Sequence, residues 1–470
     1  MPTIQGLPAE FAIRRNRQAG SHPHAGKMRV PFEPLRVIPM RPDWTRTQSI
    51  QRTRMNSPVT QPASNLLALR KAFLTACILC AGTTYNAFAQ DSQQGLREEV
   101  GKPLIAAEEM AKAKNYEGAL AKIKEAEAVA NRTQFENYYI DRLRATTALS
   151  AGKDDIAVKS LIAAFDAPQM PAADKPKIGD AIARISYRLK DYKQAADWAE
   201  RTLKEPGAPV DLRLIQGHSQ FLLNDFAGTV KNIGAYLDGV EKSGKTPPED
   251  QYRLLASAAN RAKDDAAYVA VLEKLVVNYP KRDYWADLMF RSESKAPVPE
   301  RLVLDSYRLK LAVGVLKEQG QFLDMAQYVM NIGYPAEAEK VLDAGVEIGV
   351  LGEEAKNERY KKLRATVNKE LAEEKARAAK GAQIPNTSIA KLNNGFDLVI
   401  KGEGAKGLEL MEQGLALPDL KRPEEARLRY GIAAALAGQN AKAAETFKSL
   451  AGTEVGELAR LWGLYAARKK

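Results

Sequence analysis

Apolar residues recur every three or four positions from residue 96 to the end of the chain. This period predicts amphipathic helices, because a helix turns once every 3.6 residues and so gathers such positions on one face. Proline breaks helix interiors, and most prolines of this region, such as Pro206, Pro247 and Pro280, lie at the edges of the periodic segments. The pattern therefore predicts an all-α body of short helices joined by tight turns.

A short sequence motif recurs at the turns. It contains Gly, Asn or Asp in the turn, followed a few positions later by a small residue that opens the next helix. The small residue, here called the anchor, is preceded by another small residue twelve positions upstream, its partner. Two helices approach closely only where one of them presents Ala or Gly, so each anchor and its partner predict one packed helix pair. The anchor separations are 38, 38, 34, 39, 70, 69 and 36 residues, and the two long intervals must hold an extra helix or a degenerate unit. The anchors are residues Ala119, Ala157, Ala195, Thr229, Tyr268, Ala338, Gly407 and Ala443, and their partners are Ala107, Ala145, Ala183, Gly217, Ala256, Ala326, Gly395 and Gly431.

This arrangement resembles the tetratricopeptide repeat (TPR) family, with a small residue in the first helix, an aromatic residue in the turn and a small residue opening the second helix. Thr229 and the bulky Tyr268 depart from the small anchor. The resemblance implies a TPR-like α-solenoid of antiparallel helix pairs in a right-handed superhelix that binds peptides or proteins.

The periodic region divides into three parts. We predict an N-terminal TPR-like array over 90–350, a long connecting helix over 351–385 and a C-terminal TPR-like pair with a capping helix over 386–470. The connecting helix carries an apolar stripe that ends at Leu371, and we interpret it as a solvated link, with a coiled coil as the alternative. In the capping helix, Trp462 is interpreted as a packing residue, because a terminal repeat needs a cap.

The segment before the array resembles a signal peptide. Arg70 and Lys71 form a positive start, residues 72–82 form an apolar run too short to span a bilayer, and 87–89 form a small-x-small cleavage site. We therefore expect 55–89 to be a signal peptide cleaved after Ala89, and the mature chain to be periplasmic, without a transmembrane helix.

Two alternatives concern this leader. Residues 74–77 resemble a lipobox, which would place a lipid anchor on Cys77. Residues 1–54 are rich in Arg and Pro without an apolar period, so we interpret them as an over-called extension before a true start at Met55, or as a disordered basic arm.

Charge and composition exclude several classes of function. The first 89 residues carry 12 of the 70 Lys and Arg but 3 of the 58 Asp and Glu, which leaves 58 basic and 55 acidic residues in the body, so we expect no nucleic-acid partner. After cleavage the chain would keep no Cys and one His, His218, so we expect no cofactor, no metal site and no catalytic residues. Gly402–Gly407 matches G-x-G-x-x-G, but it falls where a repeat turn is due.

The first helix of each pair should line the concave face, where Arg side chains offer paired donors to carboxylates and aromatic rings offer flat contact area. We expect a groove for an extended, partly acidic peptide or protein partner, the alternative being a generic solvated face. The predicted function is a non-enzymatic periplasmic scaffold in envelope assembly or secretion; a cell-wall hydrolase and a lipid-anchored assembly subunit are the alternatives. The candidate groove residues are Arg142, Arg184, Tyr187, Arg188, His218, Phe221, Arg253, Asn260 and Arg261.

Overall fold

A computed structural model describes residues 95–352, 357–381 and 383–469. These residues form twenty α-helices, two short 3-10 turns and no strand, which confirms the predicted all-α class. The helices are α1 Glu98–Lys112, α2 Tyr116–Glu127, α3 Gln134–Ala151, α4 Asp154–Asp166, α5 Lys175–Arg188, α6 Tyr192–Thr202, α7 Leu212–Leu222, α8 Phe226–Lys242, α9 Glu249–Ala262, α10 Asp265–Asn278, α11 Arg282–Lys295, α12 Val303–Ala312, α13 Gln319–Asn331, α14 Pro335–Glu347, α15 Glu358–Ala379, α16 Ser388–Ile400, α17 Gly404–Leu415, α18 Pro423–Leu436, α19 Asn440–Ser449 and α20 Gly456–Ala467.

The recurring turn phrase ends one helix and caps the next. Lys190 and Lys263 adopt positive φ angles of 64° and 58°, which stop the first helix of their pairs. The next residues, Asp191 and Asp264, accept hydrogen bonds from backbone N–H groups three positions on, at 3.0 and 2.9 Å. These side chains satisfy amide groups that a helix start leaves unpaired, so each pair reverses direction within three residues.

All eight anchors and all eight partners are buried, as the spacing predicts. A side chain added at Gly395 would place its Cβ 2.6 Å from the backbone oxygen of Gly407, so no larger residue fits without moving a helix. The threonine anchor is accommodated by a hydrogen bond, since the Thr229 hydroxyl donates to the Gly217 carbonyl at 3.2 Å. The helices of each pair thus pack through the predicted contacts.

The two long intervals between anchors contain extra helices. The interval from Tyr268 to Ala338 holds α11 and α12, and Tyr268 fits because its hydroxyl donates to Asp287 on α11 at 2.5 Å. The interval from Ala338 to Gly407 holds α15, whose Tyr360 is buried with the rest of its apolar stripe in the core around α13 and α14. One face of the helix is therefore packed as far as Leu371, while its other face and the part beyond Leu371 are largely exposed.

The G-x-G-x-x-G segment is the turn between α16 and α17, with Gly402 at a φ of 95°. The residues before it are helical, so no strand precedes the motif and the repeat interpretation is confirmed.

The C-terminal helices pack back onto the array. Helix α20 contacts α10 and α12. One hydrophobic core includes side chains of both parts of the chain, from Ile233 on α8 to Ala466 on α20. Trp462 is fully buried, and its indole N–H donates to the carbonyl oxygen of Asp305 on α12 at 3.1 Å, in agreement with its predicted packing role. This contact joins the predicted array and the predicted C-terminal pair into one packed unit.

A buried charged cluster lies beside this contact. The Arg308 guanidinium donates to Glu337 at 2.7 Å and to Asp305 at 2.8 Å, and it lies 4.1 Å from the ring centre of Phe396. Asp305 also pairs with Arg429 at 3.2 Å. Since Arg308, Asp305 and Glu337 are buried, the charges are compensated by one another and link α12, α14, α16 and α18.

The predicted extension 1–54 and signal peptide 55–89 lie outside the described residues, as does Cys77. Among the helices that the structure describes, none has both the length and the apolar character that crossing a bilayer requires.

Candidate functional site

The first helices of the N-terminal pairs form one face of the array. Helices α1 and α3 contact each other, as do α5 and α7, across the second helix that separates them in sequence. Such direct approach is expected on the inner side of a curved stack, where the helices converge. The predicted groove residues lie on α3, α5, α7 and α9, the first helices of four successive pairs.

Arg184 occupies the middle of this face but is paired within the chain. Its guanidinium donates to Asp180 on the same helix and to Asp211 before α7, both at 2.7 Å. Burial raises the pKa of the Asp180 carboxyl, and the positive charge of Arg184 partly offsets that rise. The Arg184 side chain is therefore held between two carboxylates of neighbouring repeats.

Arg188 and Arg261 also contact the preceding repeat. Arg188 donates to Asp154 on α4 at 2.6 Å. Arg261 lies over the rings of Phe221 and Phe226, at 5.3 and 5.2 Å from their centres. Both arginines stand seven residues before an anchor, and both contact the position three residues before the previous anchor. Arg188 thus connects adjacent helix pairs through a carboxylate, and Arg261 does so through aromatic rings.

Tyr187 and His218 meet across α5 and α7, with ring centres 6.4 Å apart in an edge-to-face arrangement. Tyr187 also packs edge-to-face on Tyr192 at 5.6 Å. Burial lowers the pKa of His218, while the charge of Asp250 opposes that effect. The imidazole is therefore neutral at pH 7, and it serves here as a packing ring of the face.

The remaining predicted residues are exposed. Arg142 on α3, and Arg253 and Asn260 on α9, present their side chains to solvent. Arg142 forms a hydrogen bond with Tyr138. The structure therefore brings Tyr187 and His218 into contact, and it places Phe221 against Phe226 and Arg261. The exposed Arg142 and Arg253 lie on different helices, three pairs apart in the stack.

Three exposed leucines at the turn edge of this face are not among the candidate groove residues chosen from the sequence. Leu189 stands at the end of α5, and Leu222 and Leu223 at the end of α7, with exposed fractions of 42%, 47% and 46%. Leu189 and Leu223 occupy the same position, six residues before their anchors, which is the signal that could have identified them.

The described part of the chain contains no group of three His, Asp or Glu side chains placed to hold a metal ion. A shallow cavity of about 510 Å³ lies between α19 and α20. Its charged lining residues are Lys448, Glu457 and Arg460, of which Glu457 and Arg460 are paired with each other at 2.6 Å.

Neither a family model nor a curated protein sequence matches this chain. Solved structures do match, at low identity. The C-terminal part of a TPR repeat-containing protein from Cytophaga hutchinsonii is 14% identical, over 55% of this chain and 98% of that one, with a TM-score of 0.27. The Naa15/Naa10 complex bound to HypK-THB is 15% identical, over 77% and 60%, with a TM-score of 0.30. Yeast Tom70 is 9% identical, over 77% and 87%, with a TM-score of 0.21. The buried anchors, capped turns and paired helices of the described residues themselves define the fold as a TPR-like α-solenoid.

Proposed function

We propose that this protein is a non-enzymatic scaffold that holds a peptide or protein partner on the face of its first helices. The support is the direct contact of the first helices α5 and α7 through Tyr187 and His218, beside which exposed side chains of these helices remain open to solvent. A stack of helix pairs offers a long, rigid surface at little conformational cost, which suits the binding of an extended chain.

Site-specific crosslinking tests this proposal. A photoreactive residue at Asn260, exposed on the first helix α9, should crosslink a partner from an envelope extract. The matched control is Lys159, which is also exposed but lies on the second helix α4. Crosslinks at Lys159 and none at Asn260 would contradict a site on the first helices.

We further propose that the mature chain is exported to the periplasm and acts in envelope assembly or secretion. The support is the order of positive charge, apolar run and cleavage site in residues 70–89. Mass spectrometry of the mature N-terminus tests it: Gln90 as first residue agrees with the proposal, a lipid on Cys77 indicates the anchored alternative, and an intact leader refutes export.

A further inference from the structure

The α7–α8 pair buries less apolar surface than the pairs on either side of it. Three positions of the repeat, thirteen and ten residues before the anchor and three after it, hold Gln216, Ser219 and Asn232 in this pair, and all three are buried. Leu212 is the one apolar side chain of α7 that is buried. At the same three positions the neighbouring pairs have buried apolar residues, which are Ile182, Ile185 and Trp198 in α5–α6 and Leu255, Ala258 and Val271 in α9–α10.

The hydrophobic core is interrupted between α7 and α8. In every other anchor pair of the described residues, one cluster of buried apolar side chains has members from both helices. Leu212 of α7 instead belongs to the core of the preceding pairs, whereas Ile233 and Leu237 of α8 belong to the core of the following helices. Leu214 and Phe221 of α7 reach that second core but are only partly buried.

Hydrogen bonds take the place of the shared core. The Asn232 amide donates to Gln220 at 2.9 Å and accepts from Arg213 at 3.3 Å. The Thr229 hydroxyl donates to the carbonyl oxygen of Gly217 at 3.2 Å. Water can replace a hydrogen bond when two helices separate, so such a bond holds them less firmly than a buried apolar side chain does. The α7–α8 contact should therefore open more readily than its neighbours.

Each of the two helices is fastened to its own side of this contact. Asp211, directly before α7, pairs with Arg184 of α5 at 2.7 Å. Glu241 of α8 accepts a hydrogen bond from Tyr252 of α9 at 2.5 Å and pairs with Lys274 of α10 at 2.9 Å. Helix α7 is thus tied to the preceding pair, and α8 is tied to the following one.

We propose that the contact between α7 and α8 is a hinge, at which helices α1 to α7 change their orientation relative to the helices from α8 onward. The face of the first helices then consists of two rigid parts, one that ends at α7 and one that begins at α9, and bending at the hinge changes the curvature of that face. This inference goes beyond the proposed function and does not depend on it, because it concerns the chain without a partner.

Distances between spin labels, measured by double electron–electron resonance, test the hinge. The full chain carries Cys77→Ser and Cys80→Ser, so labels attach only to introduced cysteines. Lys193→Cys with Ala266→Cys spans the hinge, and Glu117→Cys with Lys193→Cys spans an equal number of pairs before it. All three labelled positions are exposed and lie two residues before an anchor. The distance distribution across the hinge should be about twice as broad as the control distribution.

The control interval contains the α3–α4 pair, which makes the comparison stringent. That pair also has polar residues at the three repeat positions, Arg144, Thr147 and Ser160. However, Tyr138 of α3 and Ala164 of α4 are buried in one shared core. The two intervals therefore differ in the continuity of the core and not merely in the presence of polar residues.

A double variant tests whether the polar contact causes the motion. Gln216→Leu with Asn232→Val introduces the residues that α9–α10 has at these positions, with little change in volume. It should narrow the distribution across the hinge to the width of the control. The matched control is Ser160→Ala, which removes a polar group at the equivalent position of α4 and should leave the distribution across the hinge broad.

The other outcomes overturn the inference. Equal widths in the chain without these variants would refute the hinge. A broad distribution that persists in the double variant, with the helices retained by circular dichroism, would place the motion in another contact. If the double variant does not fold, hydrogen exchange of the wild-type chain decides: amides of α7 and α8 should be about tenfold less protected than those of α5, α6, α9 and α10, and equal protection would refute the hinge. The crosslinking at Asn260 decides the proposed function separately.

Discussion

Substitution of Gly395 by Ala tests whether the anchor contacts hold the helix pairs together. The added Cβ would lie 2.6 Å from the backbone oxygen of Gly407 and 3.0 Å from the backbone nitrogen of Met411. Backbone atoms cannot turn aside as a flexible side chain would, so α16 and α17 must separate. Overpacking of this kind costs about 1–3 kcal/mol.

A matched control removes the effect of helix propensity. Gly234 also lies inside a helix, α8, but a Cβ there would meet no atom within 4 Å. Replacing glycine by alanine in a helix interior stabilises it by about 1 kcal/mol, so Gly234→Ala should raise the free energy of unfolding by up to that amount. Gly395→Ala should lower it, which leaves the two variants about 2 kcal/mol apart.

Urea unfolding followed by circular dichroism measures this difference. Because repeat arrays unfold in parts, hydrogen exchange of the α16 and α17 amides should accompany it. If Gly395→Ala were as stable as Gly234→Ala, with unchanged exchange in α16 and α17, the close approach of the two helices would be refuted.

Three further predictions concern buried polar groups. The pKa of Glu136 is lowered to about 2, chiefly by its hydrogen bond to Arg97, so the stability it contributes is present above pH 4.5 and lost as the pH falls from there toward 2. Glu136→Gln should therefore lower the free energy of unfolding by about 1–2 kcal/mol at pH 7 and by less at pH 3. Equal thermal melts of wild type and variant at both pH values would contradict this. Arg308→Met leaves buried carboxylates without their cation and should cost about 3–5 kcal/mol in urea unfolding. Adding Glu337→Gln should recover part of that loss, and no recovery would show that the pair is not the cause. Tyr268→Phe should cost about 1 kcal/mol through one lost hydrogen bond, and an unchanged unfolding midpoint would contradict the contact.

The helix pairs could be predicted from the sequence because the contact between partner helices is local. An anchor and its partner are twelve residues apart, so one period contains both sides of the packed interface, as Gly395 and Gly407 show. The extra helices α11 and α12 carry no anchor of this kind, so the sequence indicated only that the long interval holds an extra helix or a degenerate unit. The apolar stripe in the first half of α15 could be recognised in the sequence. The sequence did not show that this stripe packs on α13 and α14.

The ion pairs of Arg184 and Arg188 could not be predicted from the sequence, because Asp211 and Asp154 lie in other repeats. Arg188 meets Asp154 from 34 positions away, and Arg184 meets Asp211 from 27. A periodic pattern assigns each side chain to a face but does not show which neighbouring face supplies its counter-charge. One recurring spacing could have revealed these contacts: the residue seven positions before one anchor meets the residue three positions before the previous anchor. Arg188 meets Asp154 in this way, and Arg261 meets the ring of Phe226.

In the C-terminal pair of repeats, the inner face of the first helices is buried inside the molecule. Phe396 and Ile432, which occupy the first-helix positions equivalent to Arg184 and His218, are buried in the core, and Phe396 lies against Arg308. Because this surface is filled by α12, α14 and α20, a partner could reach it only by separating a core that includes the fully buried Trp462. Uncovering that much apolar area costs more than a short peptide contact returns, so the proposed binding face is limited to the first helices α3 to α9, where the same positions are only partly buried.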